Sequence, residues 1–170
     1  MTSHVYLIAG PNGAEKTTLI AGRLSPVAPE SVAITAGRLM LQKIEALAKQ
    51  QADFGYETTL AGRGHLNLIR DLKRRGYEVH FFYLWLPSVE LAISTRVKER
   101  VLRGGHDIPI GVIRRRFDRS FRNFWNYYRP AADEWTLFDS EHRPVVVASQ
   151  ARSVIQIAEQ TMYNAIVGSI

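Results

Sequence analysis

A chain of 170 residues, 46% apolar and 22% charged, has the makeup of one globular domain long enough for a sizeable core. Its formal charge of +6 points to nucleic acid or to a polyanionic small molecule, while the absence of cysteine excludes disulfides, thiolate metal sites and cysteine nucleophiles. With no charged segment ahead of an apolar core at its start, and no apolar run of membrane-spanning length, the expectation is a soluble, cytoplasmic protein without a membrane partner.

Taken in chain order, apolar Val5 to Ala9 reads as a strand running into Gly10, Pro11, Asn12, Gly13, Ala14, Glu15, Lys16, Thr17 and Thr18, and then into a helix. The phosphate-binding loop has a glycine, four free positions and then Gly-Lys-Ser/Thr, in this strand–loop–helix context. Its backbone N–H groups, with the positive end of the following helix, wrap the β-phosphate of a nucleotide. Lys16 is placed to reach the β- and γ-phosphates of ATP, and Thr17 to ligand Mg²⁺. The bland alternative is an ordinary strand, glycine-rich turn and helix.

The glycine that should precede the lysine is Glu15. A glycine there lets backbone approach phosphate closely, and a carboxylate adds like charge beside it. Two unit charges about 4 Å apart repel by roughly 1–4 kcal/mol between bulk water and a protein surface. Weakened nucleotide binding is the expectation. The alternatives are that Glu15 points outward at little cost, or that its carboxylate folds into the amide cradle as a phosphate mimic.

Beyond the loop, a helix from Lys16 to Leu24 ends at Ser25-Pro26, with Pro29 keeping the next residues extended and Ser31 a possible cap. Apolar Leu39, Leu41, Ile44, Leu47 and Ala48 predict a helix over 36–51. Phe54 to Thr58 reads as a strand whose end carries Glu57, Thr58 and Thr59, and in open α/β sheets ligands sit at that end. His65 to Arg75 reads as a helix capped by Gly76, and Tyr77 to Leu86 as a strand buried on both faces. Pro87-Ser88 opens a helix to about Arg103, and Gly104 to Pro109 forms a break. Ile110 to Tyr128 is a basic, aromatic helix. Two short strands, Trp135 to Phe138 and Val145 to Ala148, precede a closing helix over 150–167 with Val154, Ile157, Ala158, Met162 and Ile166 inward. The alternation predicts a single three-layer α/β domain with a parallel sheet of about four to five strands and helices on both faces.

Positive charge crowds into Arg96 to Arg122, interleaved with Phe117, Phe121, Phe124, Trp125, Tyr127 and Tyr128. Stacking on nucleic acid is one reading. A helix burying its aromatics against the core is the plainer one, so nucleic acid is not the expected partner.

The loop, Phe54-Gly55-Tyr56-Glu57-Thr58-Thr59-Leu60, Leu84-Trp85-Leu86-Pro87, the arginine-rich stretch before Gly-Gly-His-Asp-Ile-Pro, and Arg114-Arg115-Arg116-Phe117 with Trp135 and Asp139 together resemble zeta toxin-like P-loop kinases over nearly the whole chain. The resemblance implies an ATP- and Mg²⁺-dependent phosphotransferase with an adenylate-kinase-like core. It implies UDP-N-acetylglucosamine, or a similar small molecule, as the phosphate acceptor, and an antitoxin-like protein as a possible partner. It places Lys16 and Thr17 on the nucleotide phosphates and Mg²⁺, and Glu57 and Thr59 on the sugar nucleotide. Arg96 or Arg100 before the Gly-Gly break, and one of Arg114 to Arg116 after it, become lid arginines. Among these Arg100 and Arg116 act on the transferring phosphoryl group, and Arg96 lies on the substrate.

One departure stands out. The family has a second strand ending in an Asn-Ala-Asp-like motif whose aspartate takes the substrate's hydroxyl proton, whereas here Leu19 to Pro26 runs straight into what resembles the later segment. No aspartate occurs between Met1 and Asp53. Deprotonation then has no assigned agent, and the absent strand leaves an edge strand uncovered. The expectation is an impaired kinase, the alternative a degenerate, non-catalytic nucleotide- or ligand-binding P-loop protein.

Simpler roles stand beside the functional ones. Glu57 can cap its strand or pair with Arg63, Asp139 can shape a turn, and Arg114 to Arg116 can be a solvated helix face. Arg70, Lys73, Arg74 and Arg75 read as such a face, and His106, with no second histidine near it, argues against a metal other than Mg²⁺.

Overall fold

The apolar run from Tyr77 to Trp85 forms the longest strand, β3, with β1 (Ser3–Ala9) on one side and β4 (Glu134–Asp139) on the other, both parallel to it. The computed structural model describes residues 2–14, 16, 35–93 and 109–169. The expected helix after the loop, the Pro26–Pro29 segment, the Ser31 cap, the later course of the helix begun at Ser88, and the 104–108 part of the Gly-Gly break lie outside the described residues, as do Glu15, Thr17, Thr18, Arg96, Arg100 and His106.

Among the described residues the sheet has six strands in the order β2-β1-β3-β4-β5-β6, with β2 at Phe54–Thr58, β5 at Val145–Ala151 and β6 at Val154–Ile157. It is mixed, which corrects the expectation of a parallel sheet of about four to five strands. β2, β1, β3 and β4 are parallel, whereas β5 runs antiparallel to β4 and β6 antiparallel to β5. A parallel return needs a crossover of a dozen or more residues, and the short links after β4 and β5 permit only antiparallel hairpins. The tighter link is Arg152-Ser153, with φ of 50° and 65°, the left-handed pair that a two-residue hairpin turn requires.

The closing helix is corrected as well: 150–157 are strand and turn, and the helix, α4, spans Gln160–Gly168. Val154 and Ile157 have the spacing of a helical face, but they lie on an exposed edge strand. Of the expected inward set, Ile166 is buried and Met162 is packed against the core.

Period-two alternation sends Val5, Leu7, Val79, Phe81, Tyr83, Trp135 and Leu137 to one face of the sheet. Against them pack Ile44 and Ala48 of α1 (Thr35–Lys49), Ile69 and Leu72 of α2 (His65–Arg74), and Phe124 and Tyr128. The last two belong to a π-helical turn, Phe124–Tyr128, that continues α3 (Ile110–Asn123). The other face carries Ile8, Ala14, Leu84, Leu86 and Ala92. The cationic side of α2 is partly engaged: Lys73 pairs with Asp133 at 2.8 Å, and Arg75 with Asp71 at 2.7 Å and Glu45 at 2.9 Å.

Candidate functional site

The C-terminal ends of the four parallel strands meet at one edge of the sheet. There β1 turns into the loop at Gly10, whose φ is 150° and whose missing side chain matters, since a Cβ would stand 2.5 Å from the Leu84 carbonyl oxygen. Gly13 has φ of 84°, a second backbone conformation that favours glycine. Asn12 and Ala14 are buried. Lys16, at a helical position, turns its ammonium back into the loop, where Nζ donates to the carbonyl oxygens of Gly10 and Pro11, each at 3.0 Å. A cation is thus held at the place where a polyphosphate's charge is expected.

Ser140 at the end of β4 ties the loop to its neighbours. Its hydroxyl donates to the Ala14 carbonyl at 3.1 Å and its amide to the Trp85 carbonyl at 2.9 Å. Asp139 accepts the Glu141 amide at 3.0 Å, which is the turn-shaping role.

Beside this edge is a cavity of about 500 Å³ lined by Met40 and Leu41 of α1, by Thr58, Thr59, Ala61, Gly62, Gly64 and His65 of the β2–α2 connection, and by Arg115, Arg116 and Arg119 of α3. Among the described residues three guanidiniums and no carboxylate line it, so it suits an anion with apolar surface. Thr59 and Arg116 both line it. Arg114 instead pairs with Glu90 at 2.8 Å. The register pairs Glu57 with Ile8, on the sheet face away from the cavity. Glu57 makes no ion pair among the described residues, and Arg63 stacks over the Tyr127 ring at 3.9 Å.

The arginines are aimed by a polar anchor within an otherwise aromatic helix face. Ser120 donates to the Thr59 carbonyl at 2.5 Å and contacts the Tyr83 hydroxyl at 2.8 Å. Asn123 Nδ2 donates to the Leu60 carbonyl at 2.8 Å, and the Tyr128 hydroxyl to the Gly62 carbonyl at 2.6 Å. These bonds hold the loop after β2, including Leu60 at φ 52°, against α3. Burial pushes the Tyr128 phenol up to about 12, and pushes Tyr83 upward against the opposing effect of its bond to Ser120. Thr58 Oγ1 lies 3.2 Å from His65 Nε2 and accepts the Leu60 amide.

Arg119, His65, Ser120, Asn123, Tyr128 and Ser140 were not legible as site residues in the sequence. The available signal was the recurrence of Arg116, Ser120 and Asn123 at helical spacing, a polar stripe on a face that also carries aromatics.

A glycine-hinged loop after the first strand, its lysine, and an arginine-lined cavity at the carboxyl ends of parallel strands define a P-loop α/β architecture. The chain has the zeta toxin-like P-loop kinase fold. It aligns with a structure from the PezAT chromosomal toxin-antitoxin system of Streptococcus pneumoniae at a TM-score of 0.67 and 16% identity, over 96% of this chain and 77% of that one. AvrRxo1-ORF1:AvrRxo1-ORF2 with sulphate ions aligns at 0.74 and 15% identity, and AvrRxo1-ORF1:-ORF2 with ATP at 0.73 and 14%, each over 97% of this chain. The chain spans 63% of each of those two. An uncharacterized protein of Haemophilus influenzae is 29% identical over 133 residues, covering 69% of this chain and 94% of that protein. No protein-family model matches the chain.

Proposed function

We propose that the chain is a zeta toxin-like phosphotransferase whose loop takes the polyphosphate of ATP and whose arginine-lined cavity takes a sugar nucleotide of the UDP-N-acetylglucosamine class. The observation that carries this reading is the convergence of Arg115, Arg116 and Arg119 on a cavity beside the carboxyl end of β2, at the sheet edge where Lys16 stands in the loop. The likeness to a structure with ATP bound supports the nucleotide, and the likeness to toxin–antitoxin structures supports an antitoxin-like protein partner.

In this reading, the amides of Gly10 to Thr18 and Lys16 hold the phosphates, and Thr17, outside the described residues, is the Mg²⁺ ligand. Mg²⁺, when bound, neutralises charge on the phosphate oxygens. Thr59 and Arg96 orient the acceptor, without Glu57, which lies on the other face of the sheet, while Arg100 and Arg116 stabilise the moving phosphoryl group. A bond forms between an acceptor hydroxyl oxygen and the γ-phosphorus as the bridging oxygen leaves with ADP. The hydroxyl proton is the weak point. Asp53, the first aspartate of the chain, accepts the His4 amide at 2.8 Å near the opposite end of the strands. Turnover slower than that of an intact relative follows, and a chain that binds without turning over is the second reading, favoured by that diverted aspartate.

Calorimetric titration of Mg-ATP and of UDP-N-acetylglucosamine into the chain, with phosphate transfer assayed in parallel, tests the assignment. Both ligands bind, Glu15→Gly tightens ATP, and Arg116→Ala weakens the sugar nucleotide about 10–100-fold, the worth of a hydrogen bond to a charged group. Transfer abolished by Lys16→Ala establishes the kinase, and binding without transfer establishes the second reading. Absence of binding by both ligands refutes the site.

A further inference from the structure

At the opposite, N-terminal ends of the strands a second group of side chains converges. Gly10 lies six positions beyond His4, about 20 Å of strand, so this cluster is remote from the phosphate loop. The parallel register sets His4 of β1 beside Glu78 of β3, Tyr6 beside His80, and His80 beside Glu134 of β4. Alternation then turns all of these side chains toward one face of the sheet.

His4 Nδ1 lies 3.0 Å from His80 Nε2, and Glu78 Oε2 lies 3.6 Å from the first nitrogen and 3.9 Å from the second. A neutral imidazole pair sharing one hydrogen bond accounts for the first distance only. The other two are too long for hydrogen bonds, yet all three resemble the edges of a coordination polyhedron. Ligands 2.0–2.1 Å from a tetrahedral zinc stand about 3.3 Å apart. The other ring nitrogen of His80, Nδ1, faces Glu134 Oε2 at 3.3 Å, as a metal-bound histidine faces the carboxylate that sets its tautomer. Tyr6 stacks on the same ring at 4.9 Å between centroids. His80 is nearly buried, and Glu78 is half exposed, which leaves an approach from solvent and a fourth position for water.

We propose that His4, Glu78 and His80 bind a divalent transition-metal ion, with Glu134 orienting His80. Two imidazoles and one carboxylate select a borderline ion over Mg²⁺ or Ca²⁺, and zinc fits best. The ion clamps β1, the strand that delivers the phosphate loop, to β3. Its binding is independent of phosphoryl transfer.

The test is calorimetric titration of zinc chloride into the chelator-treated full chain, with cobalt(II) substitution followed by visible absorption. One zinc per chain and the intense visible bands of tetrahedral cobalt are expected. Glu134→Gln weakens binding about 10–100-fold without changing the stoichiometry, and Glu78→Gln, His4→Gln and His80→Gln each weaken it further. Zinc also raises the melting temperature of the parent chain and leaves that of His4→Gln/His80→Gln unmoved. Because Glu78 is half exposed, Glu78→Gln keeps the fold, so parent-like affinity in that variant overturns the proposal even if a histidine variant fails to fold. Lack of binding by the parent, or equal binding by the double variant through adventitious surface groups, overturns it equally.

Discussion

Replacing Ser120 with alanine tests the anchor that sets the arginine helix over the loop after β2. In the native chain Tyr83 and Ser120 are fully buried, and because Ser120 gives its proton to the Thr59 carbonyl, the Tyr83 hydroxyl must donate to Ser120 Oγ. Ser120→Ala therefore leaves two groups without their partner, the Tyr83 hydroxyl and the Thr59 carbonyl. A buried polar group left unpaired costs about 1–3 kcal/mol, so the expected loss for two is about 2–6 kcal/mol. Tyr83→Phe removes only a donor that Ser120 can spare and costs about 1 kcal/mol. In Tyr83→Phe/Ser120→Ala only the Thr59 carbonyl remains orphaned, so the double loss falls below the sum of the single losses by about 2–4 kcal/mol. Urea denaturation of the four chains measures the cycle. If Ser120→Ala lies within about 0.5 kcal/mol of the parent, or if the single losses add, the relay does not carry this energy.

The Tyr56 hydroxyl is buried with no hydrogen-bond partner among the described residues, so Tyr56→Phe is expected to stabilise by about 1 kcal/mol or more, and a loss of stability by urea denaturation contradicts this. Gly10→Ala forces a side chain into the Leu84 carbonyl from a backbone conformation that only glycine adopts easily, a cost of about 2–4 kcal/mol read from the urea midpoint, and parent-like stability refutes the close approach. Burial raises the phenol of Tyr128 to about 12, and raises those of Tyr56 and Tyr83, so the folded state holds these protons more tightly than the unfolded chain. Stability is then complete below the unfolded value of about 10 and falls as pH rises through 10 to 12, a slope that Tyr128→Phe reduces; a level profile across that range would exclude it.

What could be read from residue order was whatever is written locally. Val5 to Ala9 and Tyr77 to Trp85 announce themselves as strands by nearly continuous apolar runs, Phe54 to Thr58 as a short one with a polar end, and Gly10 with Lys16 announces a phosphate loop, because strand burial and a glycine-hinged turn are properties of neighbours in the chain. The 154–157 segment failed as a helix because its apolar spacing satisfies both periods, and only the hairpin partner β5 selects between them. The roles of Arg114 and Arg116 were equally undecidable in sequence: two positions apart on α3, one pairs with Glu90 and the other lines the cavity, because two residues make a rotation of about 200° about the helix axis. His4 and His80 lie 76 positions apart and meet solely through the register of β1 on β3. Periodicity reports which face of an element is buried, whereas the partner of that face, and so every contact between distant side chains, is decided when the elements pack.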